Sequence, residues 1–400
     1  MKRSTNTSSS KSSAIEAKKP KLPETNIHVG GSRTLSVKCE KYDRPFPYFR
    51  KPTETGRFSQ DHERNFHHDR RQLRYYIKPT KSDPCFDLRQ GYTSRIRKDE
   101  SVKEYLDDML RWVMMNKEKF MLQSDKNQLD AKEGIDSLHT DFVCWRGLLT
   151  RLMCTPYENK DDWKIAVTKF RGTYFLCEFE TERKKQREEQ MTQQQDEMSY
   201  WGWKFEQYVT ADKPNGRPDT DRPVNNNEGF CSVVRSRLHS HSLVFGGEVD
   251  GVDSSIPGDN KYLELKTSRI MQARRQEQNF RRFKLIKWWA QSFLLGITKI
   301  IAGFRDDDGI VHSLEEYQTQ KIPSLTKDIH NPWQPNVCFN FLEQVLGFIK
   351  ETVTTDDPKM VHLLTWSPGK DLECRCLGRD SSYVFLPDWF LHWEGWSADK

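Results

Sequence analysis

"GGEVDGVDSSIPGDNKYLELKTS", residues 246–268, sets charged side chains into two short segments that otherwise read as buried strands. Glu248 and Asp250 lie two apart, as do Glu264 and Lys266, beside Val249, Leu263 and Leu265. Side chains two apart on a strand share a face. The turn-rich "DGVDSSIPGDN" lets the segments lie as antiparallel neighbours, gathering three carboxylates and one ammonium at one place. Close carboxylates repel, and some must take up protons unless a cation lies among them. Mg²⁺ or Mn²⁺ answers that need, because both take carboxylate oxygens and keep water and phosphate oxygens as further ligands. A pair of such ions stabilises the attacking and leaving oxygens of a phosphodiester in line. Lys266 then adds positive charge at the developing phosphorane or orients the attacking water.

The E-x-K triplet alone carries little, since it recurs at Glu16–Lys18, Glu158–Lys160 and Glu182–Lys184 in solvated contexts. Weight comes from the combination of E-x-D on an apolar strand, a short turn and E-x-K on another; the plain alternative is the polar outer face of a surface hairpin. Four other segments bear on the choice. "SYWGWKFEQYV" places Glu206 on a helix amid aromatics, as a surface residue or a fourth acidic ligand. "FRRFKLIKWWAQSFLLG" brings Lys284 and Gln291 to one side of a helix, where the amide needs a partner. Residues 269–287 interleave Arg and Lys with Phe280 and Phe283, a pattern that suits either a phosphate backbone with stacked bases or a solvated helix face. Arg146 stands alone among apolar residues, as a phosphate ligand or half of a buried ion pair.

The rest of the 400-residue chain frames this site. Residues 1–22 hold six Lys/Arg against one Glu, so they supply +5 of the net +6 and leave the rest near neutral. The basic balance is therefore a property of the tail, residues 1–35, which reads as disordered. Its "KKPKL" suits a nuclear import signal or mere solubility, so the nucleus is favoured without excluding the cytoplasm. No apolar run reaches the roughly 18–20 residues of a membrane span. Nine scattered cysteines without CxxC spacing point away from a zinc site or disulfide framework and toward a reducing compartment.

Periodicity predicts helices over 98–123, over "TDFVCWRGLLTRLMCTPYE" and over about 272–294. It predicts strands flanking Gly172, then at 230–235, 242–250 and 261–267, near 298–304 and 309–313, and at "MVHLLTWSP" and "SSYVFLPDWF". "ERKKQREE" reads as a charged loop, and 211–229 as a Pro-, Asn- and Gly-rich one. No linker divides residues 36–397, so they read as one α+β domain with a central mixed sheet flanked by helices.

Taken in order, "YDRPFPYFRKP", "LRYYIKP", "FDLRQGY", "WRGLLTRLMCTPYE", "YWGWKFEQYV", "FCSVVRSRL", "GGEVD", "YLELKTS", "KLIKWWAQSF", "AGFRDDDG" and "DDPKMVHLLTW" closely resemble the decapping exoribonuclease (DXO) family of RNA 5′-end quality-control enzymes. The resemblance spans about residues 42–395 and implies a PD-(D/E)xK nuclease fold with Asp250, Glu264 and Lys266 as its signature. It implies that Glu206, Glu248, Asp250, Glu264 and the carbonyl of Leu265 hold the metals, and that Lys266 and Gln291 contact the scissile phosphate and attacking water. Arg64, Glu104, Trp145, Arg146, Gly147 and Cys231 fall where the family meets its RNA. The implied activities are removal of NAD and other metabolite caps and of incompletely methylated guanosine caps, release of pyrophosphate from 5′-triphosphates, and 5′→3′ degradation of single-stranded RNA. Other readings are a DNA nuclease on the same fold, or a catalytically weak adaptor for a nuclear exoribonuclease, as in some fungal relatives.

Overall fold

The computed structural model describes residues 32–81, 83–121, 134–257 and 261–397. Most of the proposed tail lies outside them. Strand Arg33–Leu35 nevertheless pairs with Leu372–Cys374, so the folded chain begins before the expected boundary at residue 36.

The strands divide between two mixed sheets, and residues 246–252 cross from one to the other. The ten-stranded sheet runs Arg33–Leu35, Leu372–Gly378, Asp357–Trp366, Trp163–Phe170, Thr173–Phe179, Phe142–Trp145, His241–Glu248, Gly229–Leu238, Phe49–Gln60 and Phe66–His67. The seven-stranded sheet runs Phe86–Asp87, Ile310–Gln318, Lys299–Arg305, Tyr262–Arg269, Gly251–Val252, Tyr75–Tyr76 and Thr210–Ala211. Tyr262–Arg269 and Lys299–Arg305 pair in parallel, which requires a crossover. Helices Arg274–Asn279 and Leu285–Leu295 supply it, and Gly296 ends the second in the left-handed region at φ 72°.

The largest apolar core lies between the two sheets, filled from helices Arg146–Cys154, Leu285–Leu295 and Pro335–Thr352. A second core covers the other side of the large sheet around Trp112, Phe175 and Phe390. A third lies beneath helix Gln193–Val209, where Tyr200, Trp201 and Phe205 pack on Leu263, Leu265 and Ile301 of the small sheet. Thr192 and Gln195 cap that helix reciprocally, fixing where it starts and hence where Glu206 falls.

Several sequence expectations give way to tertiary structure. The helix expected over 98–123 is confined to Asp107–Met115, because Tyr105 takes φ 42° and blocks a helix running through it. Phe142–Trp145 is a strand held in parallel between two others, and the helix starts only at Arg146. "ERKKQREE" is a helix, Glu182–Glu189, capped by Thr181 and laced by Lys184–Glu188. At the C-terminal end the strand partner of Asp357–Trp366 is Leu372–Gly378; "SSYVFLPDWF" instead turns at Pro387 into the short helix Asp388–Leu391. No helix among the described residues is long and apolar enough to cross a membrane.

Candidate active site

Glu248 ends its strand opposite Cys231 in the large sheet, while Gly251 pairs with Leu263 in the small one. Glu248 and Asp250 therefore do not share one strand face, as alternation suggested; they flank the seam between the sheets. Both still line one cleft of about 580 Å³, together with Glu206 from the helix above. The expected antiparallel pairing covers only Gly251–Val252 with Tyr262–Leu263. Beyond its end, Asp250 Oδ2 takes the ladder position and accepts the Leu265 N–H at 2.7 Å. A strand residue's N–H and C=O face the same edge, so the Leu265 carbonyl also faces these acids.

Glu264 and Lys266 do share a face. Lys266 Nζ donates to Glu264 Oε1 at 2.6 Å and lies 3.8 Å from Asp250 Oδ2. From the other side Arg146, itself buried, donates Nη2 to the Glu248 backbone carbonyl at 3.0 Å and holds Nη1 3.8 Å from Glu264 Oε1. The two glycines of the opening motif make room for this approach: a Cβ at Gly247 would meet Arg146 Cβ at 3.0 Å, and one at Gly246 would meet the Trp145 ring at 3.0 Å.

The electrostatics separate the acids into two kinds. Burial raises Glu264, but Lys266 and Arg146 outweigh it and hold this carboxyl below the usual range. Burial, then the Glu264 charge, pushes Asp250 up to about 7. Glu206 is driven well above the usual range by burial, then by Asp250 and Glu248. Glu248 keeps solvent contact at the cleft floor, yet its position deep between the walls also raises it. Three of the acids are thus short of positive charge.

Among the described residues no three carboxylate, His or Cys groups close on one point as a ready-made cage. The donors nonetheless suit a hard divalent cation. They are carboxylate oxygens and one backbone carbonyl, and Glu264 Oε2 is buried without a hydrogen-bond partner. Glu206, Glu248, Asp250, Glu264 and Leu265 are the residues able to hold such ions.

The other candidates surround this centre. Arg64 forks onto Glu104 at 2.9 and 3.0 Å and donates to the Asn227 carbonyl, while Lys98 adds a contact to Glu104 at 2.6 Å. Cys231 is buried beside Arg64 and Glu248, and its thiol is raised by burial. Glu104, Trp145 and Gly147 line a second cavity of about 660 Å³, outside the acidic cleft. Lys284 Nζ donates to Ser268 Oγ at 3.2 Å, which sets its helix over the strand carrying Glu264 and Lys266. Gln291 lies two turns further, about 10.5 Å or some three strand residues along the crossover helix, which runs back along the strand carrying Glu264 and Lys266. It is half-buried there, with no hydrogen bond to a described residue.

The basic segment 269–287 behaves differently. Arg269 pairs with Asp307, Arg281 with Glu277 and Asp328, and Lys287 with Glu158. Phe280 is buried against Trp288, Phe304 and Tyr317, so it cannot stack a base. Sequence reading also missed part of the cleft wall. The 211–229 loop, Arg74 and Trp203 all line the acidic cleft; of these only Trp203 carried a signal, three residues before Glu206 on one helix.

This arrangement can be set beside known proteins. Residues 50–391 match the family described as "RAI1 like PD-(D/E)XK nuclease". The chain is 42% identical to "Decapping and exoribonuclease protein" of Xenopus laevis over 88% of each chain. It superposes with TM-score 0.76 and 25% identity on Scheffersomyces stipitis Rai1 in complex with (3′-NADP)+ and calcium ion, covering 90% of this chain and 99% of that one. S. pombe Rai1 in complex with 3′-FADP gives TM-score 0.69 and 29% identity over 86% and 99%. Two mixed sheets, the E-x-K pair at their seam and a match running through almost all of the folded residues lead to one assignment: the chain belongs to the RAI1-like PD-(D/E)XK nuclease family.

Proposed function

We propose that the protein is a metal-dependent hydrolase of RNA 5′ ends, removing NAD and other metabolite caps and incomplete guanosine caps, releasing pyrophosphate from 5′-triphosphates and degrading RNA 5′→3′. The observation that carries this reading is Asp250 and Glu264 gathered around Lys266 at the seam, beside two further acids short of positive charge. The family's relatives support the substrate: one is named for decapping and exoribonuclease activity, and one solved structure holds (3′-NADP)+ with calcium.

Glu206, Glu248, Asp250, Glu264 and the Leu265 carbonyl would hold a pair of Mg²⁺ or Mn²⁺ ions. When bound, these supply Lewis-acid stabilisation of the attacking and leaving oxygens of the phosphodiester. The protein's own groups do the rest. Lys266 aims an ammonium at the phosphoryl oxygens as their charge grows. Gln291, with a side-chain amide that makes no hydrogen bond among the described residues, orients the attacking water. Arg146 spans from Glu248 to Glu264 and sets the two sheets' acids in register, with its buried Nη1 ion-paired to Glu264 but making no hydrogen bond. Arg64, Glu104, Trp145, Gly147 and Cys231 line the RNA path on the far side of Glu248. Nuclear residence and a nuclear exoribonuclease partner belong to the same reading.

The test is a panel of RNAs differing only at the 5′ end (NAD, unmethylated guanosine cap, triphosphate, monophosphate), each with the purified chain and Mg²⁺ or Mn²⁺. Metal-dependent release from the capped species is expected. Cleavage of matched DNA at the same rate would make it a general nuclease, and a stable exoribonuclease partner with no hydrolysis would make it an adaptor.

A further inference from the structure

The cleft that holds the metal acids also holds two side chains that the hydrolytic steps leave unused. Helix Gln193–Val209 and its C-cap present Trp203, Glu206, Gln207 and Thr210 to the cleft, spaced by three, four and seven residues. Trp203 is 39% exposed and stacks on no ring among the described residues, whereas its neighbour Trp201 is buried beneath Arg305. Beside it, a Cβ at Gly202 would touch nothing within 4 Å, so the helix surface stays open there. An indole of this size left in a polar cleft is a surface waiting for an aromatic ligand.

Arg74 faces it. Its backbone carbonyl accepts from Val252 N at 2.9 Å, and the adjoining Tyr75 pairs with both Val252 and Ala211. The sheet thereby fixes Arg74 against the Asp250 crossing on one side and the end of the Glu206 helix on the other. The guanidinium is half-buried, yet its hydrogen bond is a weak one, Nε to Thr210 Oγ1 at 3.5 Å, and no carboxylate lies within ion-pairing distance among the described residues. Two other arginines nearby are paired: Arg222 is held by Glu228 and Arg64 by Glu104. Asp212, Asp219 and Glu228 act on Arg74 only at longer range. A half-buried guanidinium with no direct carboxylate contact among the described residues suits phosphate, which it can meet with a two-pronged fork.

We propose that Arg74 and Trp203 form a nucleotide-binding subsite next to the metal acids, the guanidinium on a backbone phosphate and the indole under the base of the same nucleotide. It rests on the RNA reading above and deepens it. A single nucleotide of the strand is gripped at both ends while the scissile bond lies over Asp250 and Glu264. Stacking on an indole tolerates every base, so the subsite selects single-stranded over paired RNA rather than any sequence.

The experiment measures binding of a phosphorothioate, 5′-phosphorylated pentauridylate to the full chain. Trp203→Ala should weaken it about 5- to 150-fold, the span of alanine substitutions at stacking aromatics, and Trp203→Phe should restore most of the loss. Moving one abasic residue along the oligonucleotide should reveal one position at which Trp203→Ala has no further effect. Arg74→Ala should reduce the slope of log K against log salt by about 0.7, and Arg74→Lys should keep the slope. Equal loss from Trp203→Ala at every abasic position, or an unchanged salt slope in Arg74→Ala, overturns the subsite while the hydrolytic reading stands. Failure of the wild-type chain to bind the oligonucleotide overturns both.

Discussion

Segments 246–268 and 269–287 adjoin in sequence and are both rich in charge, yet they use it in opposite ways. The basic segment lies outside, and three of its seven cations have carboxylate partners: Asp307 for Arg269, Glu277 and Asp328 for Arg281, Glu158 for Lys287. The acidic segment turns inward, and the protein neutralises only part of it. Glu264 is held by Lys266 and Arg146, while Asp250 rises to about 7 and Glu248 and Glu206 rise with it. Exposed pairs are worth about 0–1 kcal/mol and are readily replaced. Buried acids left short of partners cost stability, so a fold keeps them where something else supplies the charge. The residues to suspect of chemistry are those whose charge the protein itself does not answer.

The contrast can be broken at several points. Asp250→Ala or Glu264→Ala should reduce hydrolysis of a 5′-capped RNA by on the order of 10³-fold or more, since a bound ion contributes several kcal/mol to the transition state. Near wild-type rates in single-turnover assays would remove these residues from the site. Lys266→Ala should lower kcat by about 10²- to 10³-fold with RNA affinity little changed, the signature of a charge aimed at the transition state. A loss confined to Kd would make it a binding residue only. Adding Mn²⁺ should raise the melting temperature of the wild type, roughly 1–2 °C for each kcal/mol of binding in a chain of this size, and should do less for Glu206→Ala. In EDTA that variant should melt no lower than wild type, because a repelling carboxylate is gone; a lower melting point would mean that Glu206 is structural. The smallest effect belongs to the basic segment. Arg269→Ala and Arg281→Ala should stay within about 1 kcal/mol in denaturant stability and keep activity. A tenfold fall in activity would place RNA on that face after all.

Much of the site was legible because it depends on local spacing. Glu264 and Lys266 two apart on a strand end with their charged atoms 2.6 Å apart. Helical spacing from Lys284 likewise carries Gln291 back over the strand, once the Lys284–Ser268 contact anchors the helix. Alternation failed at Glu248 and Asp250 because the chain changes sheets between them, and a one-strand argument cannot register a seam. Arg74 was invisible for a related reason. Its position depends on Tyr75–Tyr76 pairing with Thr210–Ala211 and Gly251–Val252, strands of two residues that leave no period to read. The expected helix over 98–123 failed at Tyr105, whose left-handed backbone follows from tertiary contacts rather than propensity.

The most direct test is release of NAD from a capped RNA measured against Mn²⁺ concentration for the wild type and Asp250→Asn, a change that keeps shape and removes the charge. The account predicts metal-dependent turnover in the wild type and none above background in the variant at any concentration. Equal turnover by both proteins, or turnover in the wild type that EDTA leaves untouched, would contradict it.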